Sequence, residues 1–310
     1  MFNLSGKTVL ITGSAGGLGK EFAQRILQQG AKVCLTDIKT ELGQATEKEF
    51  VKAFGADRVH FEVCNVTNAD DVLKVWQNAC QKFEVDHLDV LVNNAGVMGE
   101  KEGWKLCLDI NLRGVLNGCT LAMEKMSRAN GGRGGVIVNV ASILGLFNAQ
   151  QPKGWAYNTS KSAVVTYSRC VGTAETEAQD GIRILTLCPS VTQTPILDGC
   201  TQAELAEMKK NVGGFLQADQ VGKAFMTLLQ TGQTGSVMSV WKDCPPYYIP
   251  DTGMGLFILY TTCAMVMRFV PKSVFDPTNG LKFFPHMTFI LVAMLVVWIL
   301  VAKFSMWLLF

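Results

Sequence analysis

Residues 8–19 constrain this chain most. A short β-rich run, Thr8-Val9-Leu10-Ile11, passes through Thr12-Gly13-Ser14-Ala15-Gly16-Gly17-Leu18-Gly19 into a helical pattern carried by Phe22, Ile26 and Leu27. The helix closes at Gly30, and a second strand over residues 32–36 ends in Asp37. A third strand, residues 59–63, leads to Asn65-Val66, and a fourth, residues 88–92, runs into Asn93-Asn94-Ala95-Gly96. Amphipathic helices lie between them, for example over residues 69–83. Strands and helices in alternation define an α/β fold, a doubly wound parallel sheet. Polar and small residues at the C-terminal strand ends fall where such a sheet binds ligands.

The glycine turn has a chemistry of its own. Glycines let the backbone approach an anion, while free N–H groups and the helix dipole face it, so strand, turn and helix start together make a phosphate site. Asp37 lies about 20 residues past the glycines, where a carboxylate can accept both ribose hydroxyls of an adenosine and repel a 2′-phosphate. The cofactor expected is therefore NAD rather than NADP, with Lys39 the one nearby residue that weakens the preference. The Asn65 amide is expected to meet the adenine edge.

The central segments add groups capable of acid–base work. A long helical pattern after Gly103 contains Asp109-Ile110-Asn111-Leu112, and a glycine-rich turn over residues 131–135 precedes a strand over residues 136–140 that delivers Ala141-Ser142. Tyr157 and Lys161 follow, four residues apart at the start of another helix. At that spacing two side chains share one helical face. A phenol ionises near pKa ~10, and each unit of depression requires about 1.4 kcal/mol of preferential phenolate stabilisation. A fixed ammonium can supply it. In isolation such a pair is equally the solvated face of a helix, Ser142 a strand-end hydroxyl and Asn111 a helix residue bonding its own backbone.

Taken together the segments resemble the short-chain dehydrogenase/reductase family, whose marks TGxxxGxG, NNAG, Asn, Ser and YxxxK occur in that order at residues 12–19, 93–96, Asn111, Ser142 and residues 157–161. The resemblance covers residues 3–245 and implies a Rossmann-like fold. It implies Tyr157 as general base, Lys161 lowering its pKa and holding the nicotinamide ribose, Ser142 holding the substrate oxygen, and Asn111 positioning a relay water. It also implies cofactor contacts from Gly13, Gly17, Leu18, Gly19, Asp37, Asn65, Val66, Asn93, Tyr157, Lys161, Val191, Thr192 and Thr194. Within the family, Asn93-Asn94-Ala95-Gly96-Val97, Glu100-Lys101, residues 130–135 and Gln150-Gln151-Pro152 resemble a branch of NAD-dependent dehydrogenases acting on a hydroxy lipid. That branch implies Ser142, Gln151 and Tyr157 as substrate ligands. The chain departs from the pattern in three places. Lys153 to Ala156 lengthen the spacing from Gln151 to Tyr157, Asn65 replaces an Asp, and Ser190 stands after Pro189 where a glycine is usual. Family members pair through the helices after Gly103 and Tyr157, so a homodimer is expected.

Residues 196–216 should cover the substrate, and Leu197, Leu205, Met208, Phe215 and Leu216 suit a lipid-like ligand as well as ordinary core packing. The expected activity is oxidation of a secondary alcohol on a hydroxy fatty acid, eicosanoid, steroid or isoprenoid. The alternatives are a carbonyl reductase and a non-catalytic NAD-binding scaffold, the latter disfavoured because a pure binder needs no base. A net charge of +2 points to no nucleic-acid partner, and the ten scattered cysteines lack metal-ligand spacing, so no metal is expected. Reduced thiols fit a cytosol-facing domain. No signal peptide is expected from the first residues, and the Asn-x-Ser/Thr matches at Asn3, Asn65 and Asn158 are read as chance. A mean hydropathy of +0.22 points to an apolar segment, found in the tail after the catalytic domain of residues 1–246. Residues 253–270 read as a helix of about minimal spanning length, open between a second span, a re-entrant hairpin arm and an amphipathic cover of the substrate pocket, and residues 287–310 as a transmembrane helix with Lys303 reaching toward an interface. Membrane attachment at the endoplasmic reticulum or a lipid droplet is the expectation.

Overall fold

The computed structural model describes residues 1–99, 103–146 and 154–250. The first strand-turn-helix unit is β1 (Thr8–Thr12) and α1 (Gly17–Gln28). Every residue of β1 is buried, as a parallel strand covered on both faces requires. The alternation continues with β2 (Lys32–Asp37), α2 (Thr40–Phe54), β3 (Val59–Val63), α3 (Ala69–Phe83), β4 (Val90–Asn93), α4 (Trp104–Leu108) and α5 (Gly114–Met126). Then come β5 (Gly135–Val140), α6 (Trp155–Val171), α7 (Ala174–Asp180), β6 (Ile182–Pro189), α8 (Gln202–Asn211), α9 (Ala218–Thr231), β7 (Val237–Val240) and β8 (Tyr247–Tyr248).

The strands form one sheet in the order β3-β2-β1-β4-β5-β6-β7-β8, all parallel except β8, which runs antiparallel to β7. Strand order reverses between β1 and β4, and the crevice above that point is where an open α/β sheet binds ligands. Strand alternation splits the core in two. Val9, Ile11, Val90 and Val92 pack with Phe22, Ile26, Phe225 and Leu228 of α1 and α9, where Phe22 and Phe225 stack with centroids 4.2 Å apart. Leu10, Leu91 and Ile137 point the other way, onto Trp76 of α3, Cys119 of α5 and Val164 of α6.

Two expectations are corrected. The helix after Gly103 is not continuous: residues Asp109–Arg113 form a π turn between α4 and α5, and the Gly114 N–H donates to the Asp109 carbonyl five residues back. The sequence also reads residues 235–241 as a last strand, but the strand there is only Val237–Val240 and another follows it. The chain turns at Asp243, which has φ +58°, and Tyr247 and Tyr248 return to pair with Ser239 and Met238. Among the described residues no helix is long and apolar enough to cross a membrane. The segments 253–270 and 287–310, and Gln151, lie outside the described residues.

Candidate active site

The helix α6 starts above the C-terminal end of β5 and brings the acid–base groups to the sheet. Lys161, 3% exposed, donates through Nζ to the Val140 carbonyl at the end of β5, at 2.9 Å. One turn earlier, Tyr157 holds its ring centroid 5.7 Å from that Nζ. The first residue past Ala141 at the strand end is Ser142, whose hydroxyl hydrogen-bonds with the Tyr157 side chain and accepts from the Leu144 N–H at 3.2 Å. The sheet thus delivers Ser142 and the helix delivers Tyr157 and Lys161 to one point.

Asn111 is fully buried in the π turn. Its Oδ1 accepts from the Val97 N–H at 2.8 Å, and its Nδ2 donates to the Val97 carbonyl at 2.8 Å and to Ser160 Oγ at 3.2 Å. Ser160 Oγ in turn donates to the Tyr157 carbonyl at 2.7 Å. The side-chain amide thus joins the loop after β4 to α6. Gly96 completes this wall: a Cβ there would lie 3.2 Å from Asn111 Oδ1 and 3.5 Å from Lys161 Nζ.

Burial dominates the electrostatics. It pushes the Tyr157 phenol up to about 12, against a smaller opposing pull from the Ser142 hydrogen bond, and it pushes the Lys161 ammonium down to about 8. Desolvation of the phenolate is the largest influence on Tyr157, and Lys161 is not among the groups that shift it. At neutral pH the pair is a neutral phenol beside a charged amine. Cys188, buried under the pair on β6, is raised to about 12 by burial and is an inert thiol.

On the other side of the crevice the glycine turn is built for close approach. Gly13 has φ +64°, and a Cβ on it would lie 2.7 Å from Ala95 Cα. Asn94 clamps the turn, its Nδ2 donating to the Thr12 and Gly13 carbonyls at 3.0 and 2.9 Å, while Thr12 Oγ1 accepts from the Asn94 and Ala95 N–H groups. The start of α1 carries no capping side chain and no acidic residue in its first turn, so its amides remain available to an anion. Asp37 sits against the turn, Oδ2 accepting from the Ala15 N–H at 3.1 Å and Oδ1 from the Lys39 N–H at 3.0 Å. Thr194 and Pro195 approach from the far side: a Cβ on Gly17 would lie 3.5 Å from Thr194 Cβ.

Other expected contacts divide. Val66 is buried and its carbonyl accepts from Asn117 Nδ2 at 2.9 Å. Asn65 is exposed, with Oδ1 committed to the Thr67 N–H and hydroxyl at 3.1 and 2.9 Å, which leaves its NH2 group for an adenine. Asn93 points away from the crevice, donating to Asn139 Oδ1 at 2.9 Å in a buried chain that continues from Asn139 Nδ2 to Ser168 Oγ at 2.9 Å. Leu18 packs against the core. Thr192 and Val191 form the segment after β6, where the Val191 carbonyl accepts from the Leu216 N–H at 2.9 Å. Leu216 and Leu197 are buried, so their apolarity serves packing, whereas Leu205, Met208 and Phe215 are half-buried. Trp104 and Trp155, each about half exposed, face one another at 5.9 Å between centroids, two residues before Tyr157. Asn94, Ser160 and Asn117 went unassigned from sequence. Asn94 stood inside the quoted motif, while the other two have no signal beyond a polar side chain on a helix.

The short chain dehydrogenase family model matches residues 7–205. The chain is 36% identical over 225 residues to 15-hydroxyprostaglandin dehydrogenase [NAD(+)] of Rattus norvegicus, covering 72% of this chain and 80% of that one. It is 35% identical over 227 residues to 3beta-hydroxysteroid dehydrogenase 2 of Eggerthella lenta, covering 71% and 84%. Among solved structures it is similar to 3-ketoacyl-(acyl-carrier-protein) reductase from Brucella melitensis complexed with NADH, at 26% identity and a TM-score of 0.66, covering 77% of this chain and 98% of that one.

Proposed function

The chain belongs to the short-chain dehydrogenase family, and from that premise we propose that it oxidises a secondary alcohol on a lipophilic substrate. It is an NAD-dependent oxidoreductase. The observation that carries the reading is the convergence of Ser142, Tyr157 and Lys161 at the end of β5, across the crevice from the glycine turn. The residues fit NAD. The α1 amides and the glycine turn suit the pyrophosphate, Asp37 suits the adenosine ribose, and Lys161 with the segment 191–194 lies at the nicotinamide end. When bound, NAD accepts the hydride, a chemistry that belongs to the cofactor.

The side chains do the rest. Ser142 and Tyr157 hold the substrate oxygen between them, and Tyr157 in its phenolate form takes the alcohol proton. Lys161 supplies a fixed positive charge beside the phenol, and its bond to Val140 keeps that charge in place. Asn111 acts as a positioning residue that fixes Val97 and, through Ser160, the backbone of Tyr157. The half-exposed Trp104–Trp155 pair, with Trp155 two residues before Tyr157, offers apolar surface near the reacting end, which favours a hydroxy fatty acid, eicosanoid, steroid or isoprenoid. Incubating the protein with NAD and a panel of such hydroxy lipids, beside Tyr157→Phe, tests the reading. NADH formed by the wild type and not by the variant supports it; undiminished NAD binding with no NADH from any substrate would leave a scaffold.

One observation favours the reverse direction as a second reading. A phenol held near 12 is protonated at neutral pH, the state in which Tyr157 would donate a proton as a carbonyl reductase. Initial rates in both directions at pH 7 separate the two. The membrane tether rests on sequence alone: residues 287–310 are long and apolar enough to span, with the catalytic unit on the cytosolic side. Complete release of the full chain from microsomes by carbonate would remove that part. Pairing into a homodimer through the α4–α5 and α6 helices is carried from the family.

A further inference from the structure

We propose that a basic cavity at the lower edge of the sheet binds a phosphomonoester dianion, at a site separate from the active site. The active-site crevice lies over the C-terminal strand ends. The cavity opens at the opposite edge, where β1, β4, β5 and β6 begin, and has a volume of about 450 Å³, which suits a small organic ligand. Its wall holds four cations, Lys7, Arg128, Arg133 and Arg183, and two carboxylates, Asp89 and Glu177. Four cations less two carboxylates, with His87 neutral, leave the lining a net charge of +2.

Two of these cations are already matched within the wall. Lys7 Nζ lies 2.7 Å from Asp89 Oδ1, while Asp89 Oδ2 accepts from the Thr8 N–H at 2.9 Å. His87 Nε2 stands 3.7 Å from the same carboxylate. Glu177 attracts Arg183, whose guanidinium also donates to the Gly232 and Leu229 carbonyls. The guanidiniums that remain are open to a ligand. That of Arg128 makes no hydrogen bond or ion pair among the described residues. Arg133 reaches only Asp86, at 3.7 Å, and at 69% and 93% exposure that pair contributes little. The glycine-rich turn over residues 130–135, which has no part in the active site, sets both in place. The Gly134 N–H donates to the Met126 carbonyl at 2.7 Å and the Gly135 N–H to the Gly181 carbonyl at 3.1 Å, which closes the turn. A Cβ on Gly135 would lie 2.8 Å from the Asp89 carbonyl oxygen, and one on Gly181 would lie 2.5 Å from Arg128 Nε, so bare backbone makes room for that side chain. Two guanidiniums without a close carboxylate present forked N–H donors that match phosphate oxygens. Phe2 and Val85 add apolar wall for the organic part of an ester.

Calorimetric titration of the full chain at pH 7.5 tests this with phenyl phosphate, a dianion there, and benzenesulfonate, a monoanion of similar shape. The wild type should prefer the dianion roughly tenfold, the factor one charge-assisted hydrogen bond supplies. The double variant Arg128→Gln, Arg133→Gln should bind phenyl phosphate at least roughly tenfold more weakly and lose the preference. Phenyl phosphate held equally by both proteins sits elsewhere, for example on the glycine turn before α1, and overturns the proposal. A wild type that binds neither anion, or both alike, overturns it even if the variant fails to fold. Vesicles of phosphatidylcholine with and without phosphatidate, added as competitors, identify the source of the ester. Displacement of phenyl phosphate by the phosphatidate vesicles alone assigns the site to a lipid headgroup, and displacement by neither assigns it to a soluble ester; both uphold the site.

Discussion

At the scale of single residues, the site holds two groups in the protonation states burial prefers for one and resists for the other. Burial raises Tyr157 to about 12. A titration followed at 295 nm, wild type minus Tyr157→Phe, should therefore show no phenolate from this residue up to pH ~10, the free-phenol midpoint. A step near pH 7 would mean that Lys161 governs it after all. Lys161 itself is lowered to about 8 from 10.5. Between those values the unfolded chain binds the proton that the folded chain does not, so the residue's contribution to stability rises with pH there, and below 8 the buried charge costs most. Lys161→Met should then stabilise the fold by up to about 3 kcal/mol at pH 7, with the gap shrinking toward pH 10.5, while dehydrogenase activity disappears. Denaturant midpoints at the two pH values check the sign. An unchanged or widening gap would sink the burial account.

At the scale of elements, the π turn and the loop after β4 are one unit tied by a single amide. Asn111→Ala removes its two hydrogen bonds to the N–H and carbonyl of half-buried Val97, and should cost about 1–3 kcal/mol, since the carbonyl keeps only the weak Cys107 thiol donor. Urea unfolding reads the loss, and a cost under 0.5 kcal/mol would contradict the tie. Similarly α2 lies so close to β3 that a Cβ on Gly43 would enter the Phe61 ring. Gly43→Ala should lose about 1–3 kcal/mol by overpacking, visible as a lower melting midpoint. These elements were unequally legible in the sequence. The strands showed as β-branched runs between glycine and polar punctuation, with ends displaced by a residue or two. The π turn did not show, because residues 109–113 suit an ordinary amphipathic helix and the Asn111–Val97 bonds that accompany the turn are tertiary. Asn93 was legible in principle: Val90 and Val92 face α1 and α9, Leu91 faces α5, so parity sends Asn93 toward Cys119 and away from the crevice. The catalytic positions were legible because Asn111, Ser142, Tyr157 and Lys161 follow the glycine turn in a fixed motif order along the chain. The basic cavity was not, since only the fold gathers Lys7, Arg128, Arg133 and Arg183 at one edge of the sheet.

For the molecule as a whole, residues Met1–Ile249 form one compact unit. A chain ending after Pro250 should therefore melt at the midpoint of the full chain's catalytic unit and bind NADH with unchanged affinity. If the tail is the tether, the shortened chain should also leave the microsomal pellet for the supernatant. A shortened chain that fails to fold would show that the unit needs more than its own residues. The short strand β8 bears on a different property. Ile249 donates its N–H to the Val237 carbonyl at 2.8 Å and accepts from Arg169 Nη2 at 3.3 Å, so the strand is pinned at its end. Without β8 the fully buried β7 would offer a row of unpaired amides to any extended chain, the template from which sheets grow between molecules. A strand of two residues, Tyr247 and Tyr248, is too short to pass that template on. Two peptide units at the margin of the sheet thus help decide whether the enzyme stays dispersed when crowded or polymerises edge to edge.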